Sequence, residues 1–187
     1  MKIPKVLKLT HTLYTMQEIE VKILEIDVPA FKRKLASIGA KKVFEGNIIA
    51  SKFDTPTKQL EKNDQLLRLR TRGDIVELTF KKKQKSTQAK IVEETEVTVS
   101  DYKAMKTILQ EIGFIESGKQ HKTRISYALG DDVHIEIDTF PGIPPFAEIE
   151  THNLKRLKEV VALLGYTMEE TKPWSGSKVI EYYKRKK

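Results

Sequence analysis

Short segments of this chain alternate charged and apolar residues, as strands with one charged face do. Within residues 18–22, Glu18, Glu20 and Lys22 fall on one face of a strand, and the apolar residues between them fall on the other. The pattern recurs at residues 68–70, 79–83, 94–96, 122–124, 136–138 and 148–150. Because charged residues are poor strand formers, this repetition predicts a sheet whose charged face has a function.

Helical patterns separate these strands. Apolar residues spaced three and four apart, with capping residues before them and glycine after them, predict helices at about residues 29–39, 101–113 and 153–165. A further helix near the C-terminus is expected to begin at Ser175 or Ser177. Turn residues at 72–74 and 130–132 predict two β-hairpins.

The order of these elements repeats along the chain. A Glu-x-Glu strand leads into a helix that ends at glycine, and a basic strand and a hairpin follow. Pseudo-symmetric halves of one closed sheet explain this repeat. If helices cover the apolar face, the charged face turns inward, and the predicted class is α+β: a closed eight-stranded antiparallel β-barrel with helices packed outside. The alternative is an open antiparallel sheet whose charges face solvent.

The length of 187 residues is sufficient for one domain with a sizeable core. Residues 1–16 carry basic and apolar residues without a clear period, and we expect a peripheral N-terminal extension there. A short helix packed on the surface is the alternative for that segment. Residues 17–187 are expected to form a single domain.

Composition excludes several classes of site. The chain has no cysteine, so disulfides and thiolate metal sites are excluded, and its four scattered histidines argue against a zinc enzyme. The net charge of +8 favours an anionic partner: nucleic acid, a membrane surface or a phosphorylated small molecule. No apolar run approaches the roughly 20 residues of a membrane span, and no signal peptide is visible, so a cytoplasmic location is the default expectation.

The inward face carries both signs of charge. Burying such charges is costly even when they pair, and a polyanion together with divalent cations would compensate for it. Arginine and lysine suit phosphate oxygens, whereas clustered carboxylates suit Mg²⁺ or Mn²⁺. A phosphate chain bridged to carboxylates by metal is an arrangement that serves phosphoryl transfer.

Residues 18–22 resemble the ExExK signature of the CYTH superfamily, also called triphosphate tunnel metalloenzymes. Six further segments follow in the family's order, at residues 67–70, 79–81, 94–96, 122–124, 135–141 and 147–150. A lone ExExK would be weak, but seven ordered motifs over about residues 17–183 are specific. The family includes class IV adenylate cyclases, thiamine triphosphatases and inorganic triphosphatases, and the resemblance implies its closed eight-stranded tunnel.

The resemblance also implies roles for the inward residues. The catalytic residues would be Glu18, Glu20 and Lys22. The ligands of Mg²⁺ or Mn²⁺ would be Glu18, Glu20, Glu136, Asp138, Glu148 and Glu150. The triphosphate would be bound by Lys22, Arg68, Arg70, Lys81, Lys83, Lys122, Arg124 and Lys178, the last on a closing C-terminal helix. Glu94 and Glu96 would orient basic residues or hold a second metal. For each of the strand residues the alternative is a plain ion pair in the tunnel wall, and for Lys178 it is an ordinary solvated helix lysine.

One position departs from the family pattern. Many members have two aromatic residues before an Asp-Thr-Pro sequence, and the first is often a tyrosine proposed to help activate the nucleophile. Here the sequence is Lys52-Phe53-Asp54-Thr55-Pro56. Lys52 replaces the tyrosine, which puts a mechanism that needs its hydroxyl in doubt.

Three functions are compatible with these residues. The leading hypothesis is metal-dependent hydrolysis of inorganic tripolyphosphate or of an organic or nucleoside triphosphate. The second is a class IV adenylate cyclase, and the proline-rich segment at residues 140–145 resembles that group. The third is a non-catalytic module that binds polyphosphate or nucleotide. We expect a small-molecule triphosphate as partner and neither nucleic acid nor membrane, because carboxylates interleave with the cations and aromatic stacking platforms are few. A monomer and a homodimer are both compatible with the sequence.

Overall fold

Eight antiparallel strands close into a barrel. The computed structural model describes residues 16–186, so the predicted extension lies outside the described residues apart from the backbone of Met16. The strands are β1 (Met16–Ile23), β2 (Lys41–Asp54), β3 (Gln65–Arg72), β4 (Ile75–Gln84), β5 (Lys90–Val99), β6 (Ile115–Leu129), β7 (Val133–Thr139) and β8 (Phe146–Thr151). Their order around the barrel is β1-β5-β4-β3-β2-β6-β7-β8, with β8 paired to β1. The predicted closed barrel is confirmed.

Helices cover the outside of the barrel, as predicted. They are α1 (Val28–Ser37), α2 (Gln59–Lys62), α3 (Tyr102–Glu111), α4 (Leu154–Leu163) and α5 (Gly176–Arg185), with a 3₁₀ helix at Met168–Glu170. Side-chain oxygens of Asp27, Asp101, Asn153 and Ser175 accept hydrogen bonds from the first turns of α1, α3, α4 and α5. The sequence analysis missed α2 and the 3₁₀ helix, which are four and three residues long. None of the described helices is long and apolar enough to cross a membrane.

The two halves of the chain are related by a pseudo-twofold exchange. Each half has one strand, a helix and three more strands, with α2 added in the first half and α4 following the second. Exchanging β1 with β5, β2 with β6, β3 with β7 and β4 with β8 reproduces the same circle of strands. The predicted repeat is therefore present, with one correction: β2 and α2 lie between α1 and the basic strand β3, and the repeat had omitted them.

The apolar face of each strand packs outward against the helices. Val21 of β1 and Ile149 of β8 are fully buried in one cluster with Leu35 of α1 and Leu157 of α4. A second cluster, around Leu109 of α3, covers β2 and β3. This outer burial turns the charged face of the alternating strands into the barrel interior, and it rejects the open-sheet alternative.

Helix α5 lies against one end of the barrel. Val179 and Tyr183 on α5 pack with Phe140, which follows β7, and with Phe146 at the start of β8. The Tyr183 hydroxyl donates a hydrogen bond to Glu25 Oε1 at 2.7 Å. The N-terminal residues of α5 are thereby fixed beside the opening of the barrel.

Candidate active site

The barrel interior holds a cavity of about 530 Å³ whose walls are mainly charged. The predicted acidic residues line it: Glu18, Glu20, Glu136, Asp138, Glu148 and Glu150, together with Glu94 and Glu96. Among the predicted cations, Arg68, Arg70, Lys81, Lys122 and Arg124 line it. The strand alternation read from the sequence therefore does place these charges on the surface of one cavity.

Glu18, Glu20 and Glu150 form an acidic cluster on β1 and β8. One carboxylate oxygen from each lies within 4.8 Å of the others. Glu20 and Glu150 are cross-strand partners, which brings their side chains together on the inner face. Burial raises the pKa of Glu150 to about 7, with Lys81 opposing the shift and Glu148, Glu20 and Glu94 adding to it. Glu150 forms no ion pair with any residue that the structure describes.

This acidic cluster fits a divalent cation. Its donors are carboxylate oxygens, which Mg²⁺ and Mn²⁺ prefer, and converging carboxylates repel one another without a cation. Lys90 Nζ and Lys22 Nζ contact Glu20 Oε1 at 2.8 and 2.7 Å, but they leave Glu150 without a cationic partner among residues 16–186. The Glu150 carboxyl, which has no ion-pair partner in the described part of the chain, is the feature that a bound metal would compensate.

Lys22 shares the inner face of β1 with Glu20, but it is not among the residues that line the cavity. Its side chain is almost fully buried, and Nζ lies 2.6 Å from Glu148 Oε2 as well as 2.7 Å from Glu20 Oε1. Burial alone would lower the pKa of Lys22, but Glu148 and Glu20 raise it above its ordinary value, so the ammonium stays charged. In this structure the predicted substrate-binding lysine holds two carboxylates in position.

Asp138 is the centre of a second charged group. Arg124 donates to its two oxygens from Nε and Nη2 at 2.7 and 2.8 Å, and Lys122 Nζ donates to Oδ2 at 2.6 Å. Glu136 and Glu148 lie 3.6 and 3.7 Å from the same guanidinium. Burial, followed by the charge of Arg124, lowers the pKa of Lys122 to about 8. The predicted metal ligand Asp138 is thus bound to cations, apart from the acidic cluster.

The wall formed by β3, β4 and β5 carries further ion pairs. Lys81 Nζ contacts Glu18 and Glu94, and Arg70 contacts Glu77 and lies 3.1 Å from Glu96 Oε2. These contacts place the predicted phosphate binders Lys81 and Arg70 in the cavity. They also place Glu94 and Glu96 beside basic residues.

Lys52 and Arg68 differ from these paired cations. They are cross-strand partners on β2 and β3, and both line the cavity. Lys52 Nζ donates a hydrogen bond to Ser177 Oγ of α5 at 2.6 Å, and Arg68 Nη2 donates to Thr79 Oγ1 at 3.3 Å. Two cations therefore face each other. Among the residues that the structure describes, the side-chain groups that accept hydrogen bonds from them are neutral hydroxyls and not carboxylates.

Lys83 and Lys178, two further predicted substrate-binding lysines, lie outside the cavity lining, as Lys22 does. The side chain of Lys83, at the end of β4, is 54% exposed, and its Nζ is 3.9 Å from Asp64 Oδ1. Lys178 Nζ lies 5.2 Å from the centroid of the Trp174 ring. The neighbouring residues Ser175 and Ser177 do line the cavity. Neither lysine is therefore among the cations that line the cavity.

Several cavity residues were missed by the sequence analysis. Lys90 shares the inner face of β5 with Glu94, and Arg72 continues the alternation of Arg68 and Arg70. Extending the two-residue period to the ends of each strand would have found both of them. Lys52 was noticed as a departure from a motif, but it was not assigned to the site.

Comparison with known proteins identifies the family. The model of the CYTH domain matches residues 16–183. The chain belongs to the CYTH domain family. This family includes triphosphatases and class IV adenylate cyclases. No curated protein matches this CYTH protein significantly.

Solved structures resemble this CYTH protein over nearly the whole chain. The PH1819 protein from Pyrococcus horikoshii OT3 is 25% identical, with a TM-score of 0.74 over 90% of this chain and 99% of that one. A candidate adenylate cyclase from Vibrio parahaemolyticus is 18% identical, with a TM-score of 0.78 and coverages of 90% and 99%. A candidate adenylyl cyclase from Hippeastrum, in which triphosphatase activity is dominant, is 18% identical, with a TM-score of 0.62 and coverages of 91% and 96%. The last two likenesses concern the fold alone.

Proposed function

We propose that this CYTH protein hydrolyses a triphosphate in its barrel cavity with the help of Mg²⁺ or Mn²⁺. The observation that carries the proposal is the acidic cluster, whose Glu150 has no ion-pair partner among residues 16–186, in one cavity with cations on the facing walls. Carboxylates alone suit a cation, and basic residues alone suit an anion. A phosphate chain bound together with a divalent cation satisfies both sets.

The cationic residues would bind and orient the phosphate chain. Arg70, Lys81, Lys122 and Arg124 are held by carboxylates, so their side chains are positioned before any substrate enters. Positioning and charge neutralisation provide most of the catalysis in phosphoryl transfer.

Glu18, Glu20 and Glu150 would hold the metal ion. When bound, Mg²⁺ or Mn²⁺ supplies charge neutralisation at the phosphate oxygens and a lowered pKa for water. Lys22, buried between Glu20 and Glu148, fixes the orientation of Glu20. A rigid carboxylate sets the position of the ion, and with it the phosphorus atom that reacts.

The test is incubation of the purified protein with tripolyphosphate, ATP or thiamine triphosphate, each with Mg²⁺, with Mn²⁺ and with chelator. We expect metal-dependent release of orthophosphate. Cyclic AMP as the main product from ATP would replace hydrolysis with the cyclase reaction, and binding without any turnover would indicate a non-catalytic module.

Two variants connect the activity to the site. Glu20→Gln keeps the size of the side chain but removes its charge, and it should lower turnover at least about a hundredfold through loss of metal binding. The matched control is Glu93→Gln, the same substitution on the adjacent strand β5. Glu93 lies outside the cavity lining, so this variant should retain activity. Normal turnover by Glu20→Gln would contradict the assignment of Glu20 as a metal ligand.

A further inference from the structure

Lys52 and Arg68 face each other directly across β2 and β3. Like charges placed opposite each other in an antiparallel pair destabilise a sheet. The neighbouring cavity cations Arg70, Lys81 and Lys90 each contact a carboxylate. Neither Lys52 nor Arg68 has a carboxylate within 4.0 Å in the part of the chain that the structure describes.

The surroundings of both cations disfavour their charged forms. Burial, followed by the charge of Arg68, lowers the pKa of Lys52; Lys90 also lowers it, and Glu61 opposes the shift. Burial and the charge of Arg70 lower the pKa of Arg68 to about 10. Arg68 Nε is buried and has no hydrogen-bond partner among the described residues. An anion between these side chains would supply the missing acceptor and relieve the repulsion.

The pair lies opposite the acidic cluster. In the closed strand order, β1 and β2 are separated by three strands in either direction, so Glu18 and Glu20 lie on the wall facing Lys52. A phosphate chain held through a metal at β1 would therefore cross the cavity and bring its other end to Lys52 and Arg68. An inorganic chain always brings a free terminal phosphate to that end, whereas an esterified chain whose free end lies at the metal brings its esterified phosphate there.

Helix α5 closes the cavity on the side of Lys52. Ser175 and Ser177 line the cavity, and the hydrogen bond from Lys52 Nζ to Ser177 Oγ joins β2 to the first turn of the helix. The N-terminal end of a helix carries a partial positive charge, which favours an anion further. An organic group at this position would have to break this bond and displace α5, whose Val179 is fully buried.

We propose that Lys52 and Arg68 form a subsite for the free terminal phosphate of an inorganic chain, and that Lys52 makes the protein selective for tripolyphosphate over triphosphates esterified at one end. The inference rests on the proposed function for the identity of the bound chain. It adds a specificity-determining residue at the position where a tyrosine is common in the family. A free terminal phosphate offers more charge and more oxygen acceptors than an esterified phosphate does.

The experiment compares kcat/KM for tripolyphosphate and for ATP, measured with Mg²⁺. The variant Lys52→Met keeps the length of the side chain and removes its charge. We expect it to lower kcat/KM for tripolyphosphate about 10- to 100-fold, the loss of one charged hydrogen bond, and to change the value for ATP less than about threefold. Lys52→Arg should recover most of the activity on tripolyphosphate, and Lys103→Met on the exposed side of α3 should match the wild type.

The subsite would be overturned if Lys52→Met lowered kcat/KM equally for tripolyphosphate and ATP, or lowered it for neither. The thermal midpoint of Lys52→Met is measured in parallel, and we expect it to be at least that of the wild type because the repulsion with Arg68 is removed. If the midpoint is lower, the ratio of kcat/KM for the two substrates still tests the subsite, because misfolding lowers both rates together.

Failure of the proposed function would be visible separately. If the wild type releases phosphate from no triphosphate, binding of tripolyphosphate and ATP is measured by calorimetry in chelator. The subsite then predicts that Lys52→Met weakens tripolyphosphate binding about 10-fold or more and leaves ATP binding unchanged. Unchanged tripolyphosphate binding by Lys52→Met would overturn it.

Discussion

Lys22 of β1 and Glu148 of β8 are cross-strand partners and form an ion pair of 2.6 Å on the inner face of the barrel. The Lys22 side chain is 1% exposed and that of Glu148 is 13% exposed. Lys22 also contacts Glu20 at 2.7 Å, and its backbone forms two hydrogen bonds with Lys172. A buried ammonium thus connects the acidic cluster, through Glu20, with the charged group around Asp138, through Glu148.

Replacing Lys22 with methionine should destabilise the metal-free protein by about 3–5 kcal/mol, because Glu20 and Glu148 would lose their buried partner. The free energy of unfolding in urea measures this, with Lys103→Met as the exposed control. Saturating Mn²⁺ should restore part of the loss, since an ion at Glu20 would replace some of the missing positive charge. If Lys22→Met is as stable as the wild type in chelator, the ion pairs contribute nothing to the fold.

The architecture was predictable because of the two-residue period of strands. Glu18, Glu20 and Lys22 alternate with apolar residues, and once helices were expected on the apolar side, the charges had to face inward. The same reasoning placed Arg68 and Arg70 correctly in the cavity. Short elements such as α2 were missed, since four residues carry too little periodic signal.

The pairing of charges within the cavity was not predictable. Periodicity shows which face a residue occupies, but its partners depend on register and on the closure of the barrel. Lys83 lies two residues after Lys81, a spacing that predicts an inward side chain. It is near the end of β4, however, and lies outside the cavity lining, with Nζ 3.9 Å from Asp64 Oδ1. Asp138 was expected to be a metal ligand, and in the structure Arg124 holds it in a bidentate pair. The assignment of each residue to metal or substrate remains a prediction.

Metal binding should stabilise the protein through the acidic cluster. At a Mn²⁺ or Mg²⁺ concentration of 100 times Kd, linkage predicts that the free energy of unfolding increases by about 2.7 kcal/mol. This increase is measurable as a rise in the thermal midpoint. Glu150→Gln should abolish most of this rise, because it removes one of the three clustered carboxylates. It should leave metal-free stability equal or higher, since the repulsion with Glu20 and Glu148 is relieved.

The control for this prediction is Glu93→Gln, which lies outside the cavity lining and should respond to metal like the wild type. A full midpoint rise in Glu150→Gln would show that the ion binds elsewhere, for instance beside Glu136 and Glu148.

Replacing Arg68 or Lys81 with methionine should shift the thermal midpoint of the ligand-free protein in opposite directions. Lys81 contacts Glu18 and Glu94, so its loss leaves carboxylates unpaired and should lower the thermal midpoint without ligand. Arg68 faces Lys52 and has no described carboxylate partner, so its loss should raise the midpoint slightly. Both variants should weaken tripolyphosphate binding about 10-fold or more. A lower midpoint for Arg68→Met without ligand would contradict the claim that this charge is kept for binding.

Asp54, two residues after Lys52, should make a pH-dependent contribution to stability. Its carboxylate accepts backbone hydrogen bonds from Thr55, Leu60 and Glu61 at 2.7, 2.9 and 2.9 Å, and these fix the loop after β2. Burial alone would raise the pKa of Asp54, but these hydrogen bonds lower it below its ordinary value of 3.8. Since the folded pKa is the lower one, the contribution is complete above pH 3.8 and is lost as pH falls through the folded value.

Asp54→Asn should therefore destabilise the protein by about 1–3 kcal/mol at pH 7, because the amide of asparagine cannot accept at both positions. The difference between wild type and variant, taken from urea unfolding at successive pH values, should shrink as the wild-type carboxylate is protonated. Asp74→Asn at the exposed β3–β4 turn is the matched control and should show a small difference at every pH. A difference for Asp54→Asn that stays constant down to pH values well below 3.8 would mean that the shape of the side chain, and not its charge, holds the loop.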